Sequence, residues 1–164
     1  MQGLIIHEFD ESFLKIDVSS YDVITYDDSL ESQLYYRDKF PRSKQIFFIT
    51  PAFIIRGEND QGQKCMTLDD VKMLHKEGFQ IGAHSYSHTP LGYFEDLAAQ
   101  TTYLMHDTEI CAKWFKRELG FQPKAFAFPY NDDCKGVYRA IAKKFGFTEL
   151  YGEERKPIER LLRN

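Results

Sequence analysis

Gly78-Phe79-Gln80-Ile81-Gly82-Ala83-His84-Ser85-Tyr86-Ser87-His88-Thr89-Pro90-Leu91 is a short apolar run that stops at a glycine and breaks into two histidines four residues apart. It reads as a strand delivering a metal site. Imidazoles at i and i+4 fall on the same side of a helical turn, so both rings can converge on one ion. Ser85 and Ser87 can hydrogen-bond backbone or carboxylate and so help fix which ring nitrogen faces that ion. The competing reading is a surface loop with two solvated histidines.

Val23-Ile24-Thr25-Tyr26-Asp27-Asp28-Ser29 is a second apolar run, ending in adjacent carboxylates. Strand ends in α/β proteins open onto the face where ligands bind. Where the chain turns, both aspartates can reach one pocket, one binding a cation while the other stays free. Alternatively Asp27, Asp28 or Ser29 caps a helix expected over 30–37, which accounts for one of these residues but not for both carboxylates. A third stretch, Ala125-Phe126-Ala127-Phe128-Pro129-Tyr130-Asn131, reads as a buried strand ending in a proline-fixed turn.

In this order the three stretches resemble the polysaccharide deacetylases of carbohydrate esterase family four, the NodB-homology domain. That family's Thr-Phe-Asp-Asp motif matches Thr25-Tyr26-Asp27-Asp28, and its His-Ser/Thr-x-x-His motif matches His84-Ser85-Tyr86-Ser87-His88. Its Arg-x-Pro-Tyr-Gly motif falls on Ala127 to Asn131, so the arginine that braces the catalytic aspartate in many members is absent. A Phe-Ala-Tyr-Pro-Tyr-Gly version is familiar in the branch resembling the poly-N-acetylglucosamine deacetylases. The family's C-terminal Leu-x-His has no counterpart, since no histidine follows His106. Gly3-Leu4-Ile5-Ile6-His7, an apolar strand ending in histidine, is similar to the circularly permuted arrangement of that same branch.

The resemblance implies an α/β fold, a distorted, incomplete (β/α) barrel. It also implies metal-assisted hydrolysis of an acetamido sugar. Asp28, His84 and His88 would hold a divalent ion, zinc in the first instance. Asp27 would act as general base, the backbone amide of Tyr130 would help to steady the oxyanion, and His7 would protonate the departing amine. The substrate would be an acetylated amino sugar, nucleotide-linked, lipid-linked or oligomeric. Two rivals are a metal- or sugar-binding domain without turnover and a metal-dependent phosphohydrolase.

The remaining residues bound this reading. A chain of 164 residues suits one domain spanning 1–164. A net charge of −4 gives no electrostatic case for nucleic acid. Cys65, Cys111 and Cys134 are odd in number and lack a Cys-x-x-Cys spacing, which fits a reducing compartment better than a disulfide framework. The N-terminus has neither a basic leader nor a long apolar run, and no segment approaches a membrane span, so a cytoplasmic protein is expected. Periodicity predicts a short helix or connector over 9–20, a loop over 50–66, helices over 67–76, 93–119 and 133–145, and a final strand over 146–150. Asp69 and Asp70 read as charges at a helix start. His75 and His106 read as poor ligand candidates, His106 off the apolar stripe of its helix, and the basic residues Arg155, Lys156, Arg160 and Arg163 as a solvated tail.

Overall fold

The computed structural model describes residues 3–8, 11–35 and 37–152, together with the backbone of 158–160. The side chains of the basic tail lie outside the described residues. In chain order the elements are β1 (Gly3–Ile6), β2 (Val23–Tyr26), β3 (Gln45–Ile49), α1 (Pro51–Arg56), α2 (Leu68–Lys76), β4 (Gln80–Ala83), α3 (Leu97–Leu119), β5 (Ala125–Ala127), α4 (Val137–Lys144), β6 (Glu149–Tyr151) and β7 (Ile158–Arg160).

The chain divides into two compact units, one of Met1–Ile49, Phe53–Ile81 and Arg155–Asn164, the other of Thr50–Ala52 and Gly82–Glu154. In the first, the strands run in the order β7-β1-β2-β3, each pair parallel. Every residue of β1, β2 and β3 is buried. That explains why these strands read as unbroken apolar runs: a parallel sheet is covered on both faces. Tyr26 stacks on Phe47 with ring centroids 4.4 Å apart and donates its hydroxyl to Gln45 Oε1 at 2.9 Å. Burial pushes that phenol's pKa above its ordinary value, so it stays a donor.

The second unit carries the end of β4 (Gly82 and Ala83), β5 and β6 in that order, also parallel, with Ala83 opposite Phe126 and Phe126 opposite Leu150. Phe126 is the centre of its core, in ring contact with Phe128, Tyr138 and Phe147. In each unit the parallel pairing brings the carboxyl ends of neighbouring strands to one edge. His7 and Asp27 follow β1 and β2 there, and His84 and Phe128 follow β4 and β5.

Several local expectations are corrected. The helix expected over 30–37 is replaced by two 3-10 turns, Glu31–Leu34 and Arg37–Lys39. Leu30 forms an antiparallel bridge with Cys65, and Met66 N donates to Ser29 O at 2.8 Å, so the chain is held extended where a helix would start. The stretch expected as a short helix or connector over 9–20 contains the 3-10 turns Glu11–Lys15 and Val18–Ser20. The loop after β3 contains α1. The helix α3 begins at Leu97, four residues late, because Asp96 caps it by accepting from Ala99 N. The strand expected over 146–150 lies at Glu149–Tyr151, and it is not the last, since β7 follows it. The helix over 133–145 opens as a 3-10 turn at Cys134–Gly136, and its buried face is Tyr138, Ile141 and Ala142. Thr67 and Asp70 form the reciprocal capping box that starts α2. Among the described residues no helix is long and apolar enough to cross a membrane.

Candidate metal centre

In the first unit the site begins where β2 runs out. Asp27 is 3% exposed, and its amide donates to Ile6 O at 3.1 Å, extending the β1–β2 ladder by one bond. Asp28 and Ser29 then adopt left-handed backbone, φ 69° and 59°, which non-glycine residues take up only where the surroundings over-determine it. The surroundings here include Gln33, fully buried, whose Nε2 donates to both His7 O and Asp27 O at 2.6 Å. The Cys65 thiol, its pKa pushed up to about 12 by burial, donates to Asp28 O at 3.6 Å. No side chain caps the 3-10 turn that follows, so helix capping does not explain the paired carboxylates. His7 Nε2 lies 3.9 Å from Asp28 Oδ2.

In the second unit β4 delivers His84 and the turn after it delivers His88. They are 2% and 8% exposed, which rules out a pair of solvated histidines. Their ring centroids are 4.9 Å apart. His84 Nδ1 is 2.9 Å from the carbonyl oxygen of Ala127. A carbonyl can only accept, so Nδ1 carries the proton and the lone pair for a ligand lies on Nε2. Ser85 Oγ accepts from His88 N at 2.8 Å and closes the turn. Thr50 Oγ1 donates to His84 O at 3.2 Å, and Ala52 N donates to Tyr86 O at 2.9 Å. Tyr130, in the proline-led turn after β5, places its ring 4.7 Å from that of His88. Its hydroxyl donates to His88 O at 3.4 Å, and its backbone is left-handed at φ 58°.

The candidate donors are one carboxylate of the first unit, Asp28, and two imidazoles of the second, His84 and His88. One anionic oxygen and two neutral imidazoles are a donor set that suits a divalent ion. His75 and His106 are exposed.

Reading the motifs alone misses Asp107. It is 2% exposed on the buried face of α3 and accepts from Tyr86 N at 2.9 Å and from Ser87 N at 3.1 Å. A carboxylate falling in step with Leu104, Thr108 and Cys111 is the sequence signal that could have found it.

A family profile described as polysaccharide deacetylase matches residues 23–150. The chain is similar to IcaB from Ammonifex degensii, with 16% identity and a TM-score of 0.65 over 99% of this chain and 91% of that one. It is similar to a de-N-acetylase from Aggregatibacter actinomycetemcomitans, with 16% identity and a TM-score of 0.63 over 90% and 70%. It is also similar to a family 4 carbohydrate esterase from Streptomyces lividans, with 17% identity and a TM-score of 0.55 over 90% of this chain and 59% of that one. No curated protein matches the sequence. The likeness to these structures shows the fold, the distorted, incomplete (β/α) barrel of the deacetylase type.

Proposed function

The chain belongs to the polysaccharide deacetylase family, and from that premise we propose that it is a metal-dependent hydrolase removing the acetyl group from an acetamido sugar in surface-polysaccharide synthesis. The observation that carries this reading is the buried pair His84 and His88, their ring centroids 4.9 Å apart and the His84 lone pair left on Nε2, in a chain whose strand β2 ends in the carboxylates of Asp27 and Asp28. Two imidazoles and one carboxylate with positions left open are a donor set of catalytic zinc sites, so zinc is the ion proposed. When bound, such an ion lowers the pKa of water to about 7 and polarises a carbonyl oxygen.

The chain's own residues would do the rest. Asp27 takes the proton of the attacking water as general base; its burial at the end of β2 keeps bulk water from competing for it. The backbone amide of Tyr130 is a donor for the oxyanion that forms at the acetyl carbonyl. As the C–N bond breaks, His7 gives a proton to the departing amine, so the products are acetate and the free amino sugar. The position of His7 beside Asp28 supports that role. Cys65, Cys111 and Cys134 are free buried thiols, which supports work in a reducing compartment on a nucleotide-linked or lipid-linked acetamido sugar.

The test is acetate release from nucleotide-linked, lipid-linked and oligomeric acetamido sugars, with zinc content measured on the same sample. Acetate release that disappears on chelation and returns with zinc is the expected result. Zinc without turnover on any of them favours a binding domain, and phosphate release from sugar phosphates favours a phosphohydrolase.

A further inference from the structure

We propose that Asp107 is the positioning residue of the metal centre, holding the turn between His84 and His88 so that both imidazoles are presented together. The proposal rests on the metal-centre reading given above. Both oxygens of the Asp107 carboxylate are engaged by that turn. Oδ2 accepts from Tyr86 N at 2.9 Å; Oδ1 accepts from Ser87 N at 3.1 Å and from Ser87 Oγ at 2.6 Å. Tyr103 OH lies 3.1 Å from Oδ1 and 2.5 Å from Ser87 Oγ, and shares its one proton between them. Burial, then the Asp107 charge, push the Tyr103 phenol up to about 12, so it remains a donor.

Two consecutive backbone amides are thus pinned to one rigid helix, midway between the two histidines. The turn needs such a hold. Ser85 and His88 are both left-handed, φ 59° and 58°, a conformation that L residues abandon unless their surroundings over-determine it. A buried carboxylate is itself unfavourable unless hydrogen-bonded. On the inner face of α3 an apolar side chain would pack at no such cost. What Asp107 supplies that an apolar residue cannot is a pair of acceptors set at the spacing of successive amides.

Asparagine at this position keeps the shape but offers one acceptor oxygen and turns an NH2 group toward an N–H donor; glutamate keeps both acceptors. Cobalt(II) titration of the metal-free full chain, read by absorption, measures the affinity of the site. Amide hydrogen exchange at Tyr86 and Ser87 measures the turn. Asp107→Asn is expected to weaken cobalt binding roughly 10- to 100-fold and to speed exchange at both amides, while Asp107→Glu recovers most of each. Cobalt affinity unchanged in Asp107→Asn overturns the proposal, as does a loss that Asp107→Glu shares in full. If Asp107→Asn does not fold, Ser87→Ala removes the 2.6 Å hydrogen bond to Asp107, with the hydroxyl's contacts to Tyr103 and Thr89, and leaves both backbone amides in place; it is expected to weaken cobalt binding about twofold to tenfold, and wild-type affinity there overturns the proposal. Absence of cobalt binding by the wild-type chain sinks the functional reading instead. Exchange then decides the hold on the turn by itself, and unchanged protection of Tyr86 and Ser87 in Asp107→Asn overturns it.

Discussion

His7 Nε2 stands 3.9 Å from Asp28 Oδ2, because β1 and β2 are parallel and in register. Ile6 and Tyr26 are the last Cα partners of that ladder, so each strand releases its polar residue at the same edge. Gln33 then ties the two ends together through the carbonyls of His7 and Asp27. An apolar strand at one end of the chain thereby supplies a histidine to the first motif.

Replacing that histidine should separate proton delivery from metal binding. His7→Ala is expected to lower turnover about 10²-fold or more while zinc content stays at the wild-type level. Steady-state acetate release alongside elemental analysis makes the comparison. An unaffected rate would leave protonation of the amine to water, and loss of zinc would make His7 part of the ligand set.

Asp27 and Asp28 should respond in opposite ways. Asp27→Asn is expected to keep zinc and lose turnover by about 10²-fold or more, the scale of a general base, whereas Asp28→Asn is expected to lose zinc. The same two measurements suffice. Zinc lost from Asp27→Asn and retained in Asp28→Asn would exchange the two assignments.

Gly152 is where the second unit has no room. A Cβ there would meet Phe128 Cδ2 at 2.5 Å, and Phe128 is itself packed against Phe126 and Tyr138. Gly152→Ala is expected to destabilise the fold by about 1–3 kcal/mol, the usual cost of overpacking. Urea denaturation reads the change, and Phe128→Leu in the same chain should recover part of it if the ring is the obstacle.

Acid should weaken the link between Arg37 and Glu77. Arg37 Nε donates to Glu77 Oε2 at 3.1 Å, and that hydrogen bond holds the Glu77 carboxyl below its ordinary 4.5. A depressed folded value means that the stabilisation is present above 4.5 and is lost as pH falls through the folded value. The Tm difference between wild type and Glu77→Gln should therefore shrink between about pH 6 and about pH 3. A difference that stays constant would show that Glu77 contributes nothing through its charge.

Much of the fold was legible in the residues because it is encoded over short spans. Buried strands are continuous apolar runs, α2 starts at the Thr67 capping box, and α3 stops at Gly120, whose φ of 77° suits glycine. The motif residues were also readable, since His84 and His88 are spaced to share one turn and Asp27 and Asp28 fall at a strand end. Misreadings arose where a distant partner outbids local propensity. Leu30 has a helix former's neighbours but pairs with Cys65, and the helix expected over 133–145 is entered through a 3-10 turn and buries Tyr138, Ile141 and Ala142.

The sequence by itself determined which residues are the candidates for chemistry and most of the short elements that hold them, because capping, periodicity and motif spacing act over a few residues. Only the tertiary structure decided that β1 lies beside β2, that the Ala127 carbonyl selects the His84 tautomer, and that Asp107 reaches the turn before His88. Those are hydrogen bonds between residues far apart in the chain. Local propensity carries no record of them, because their partners are chosen only when strands pair and helices pack.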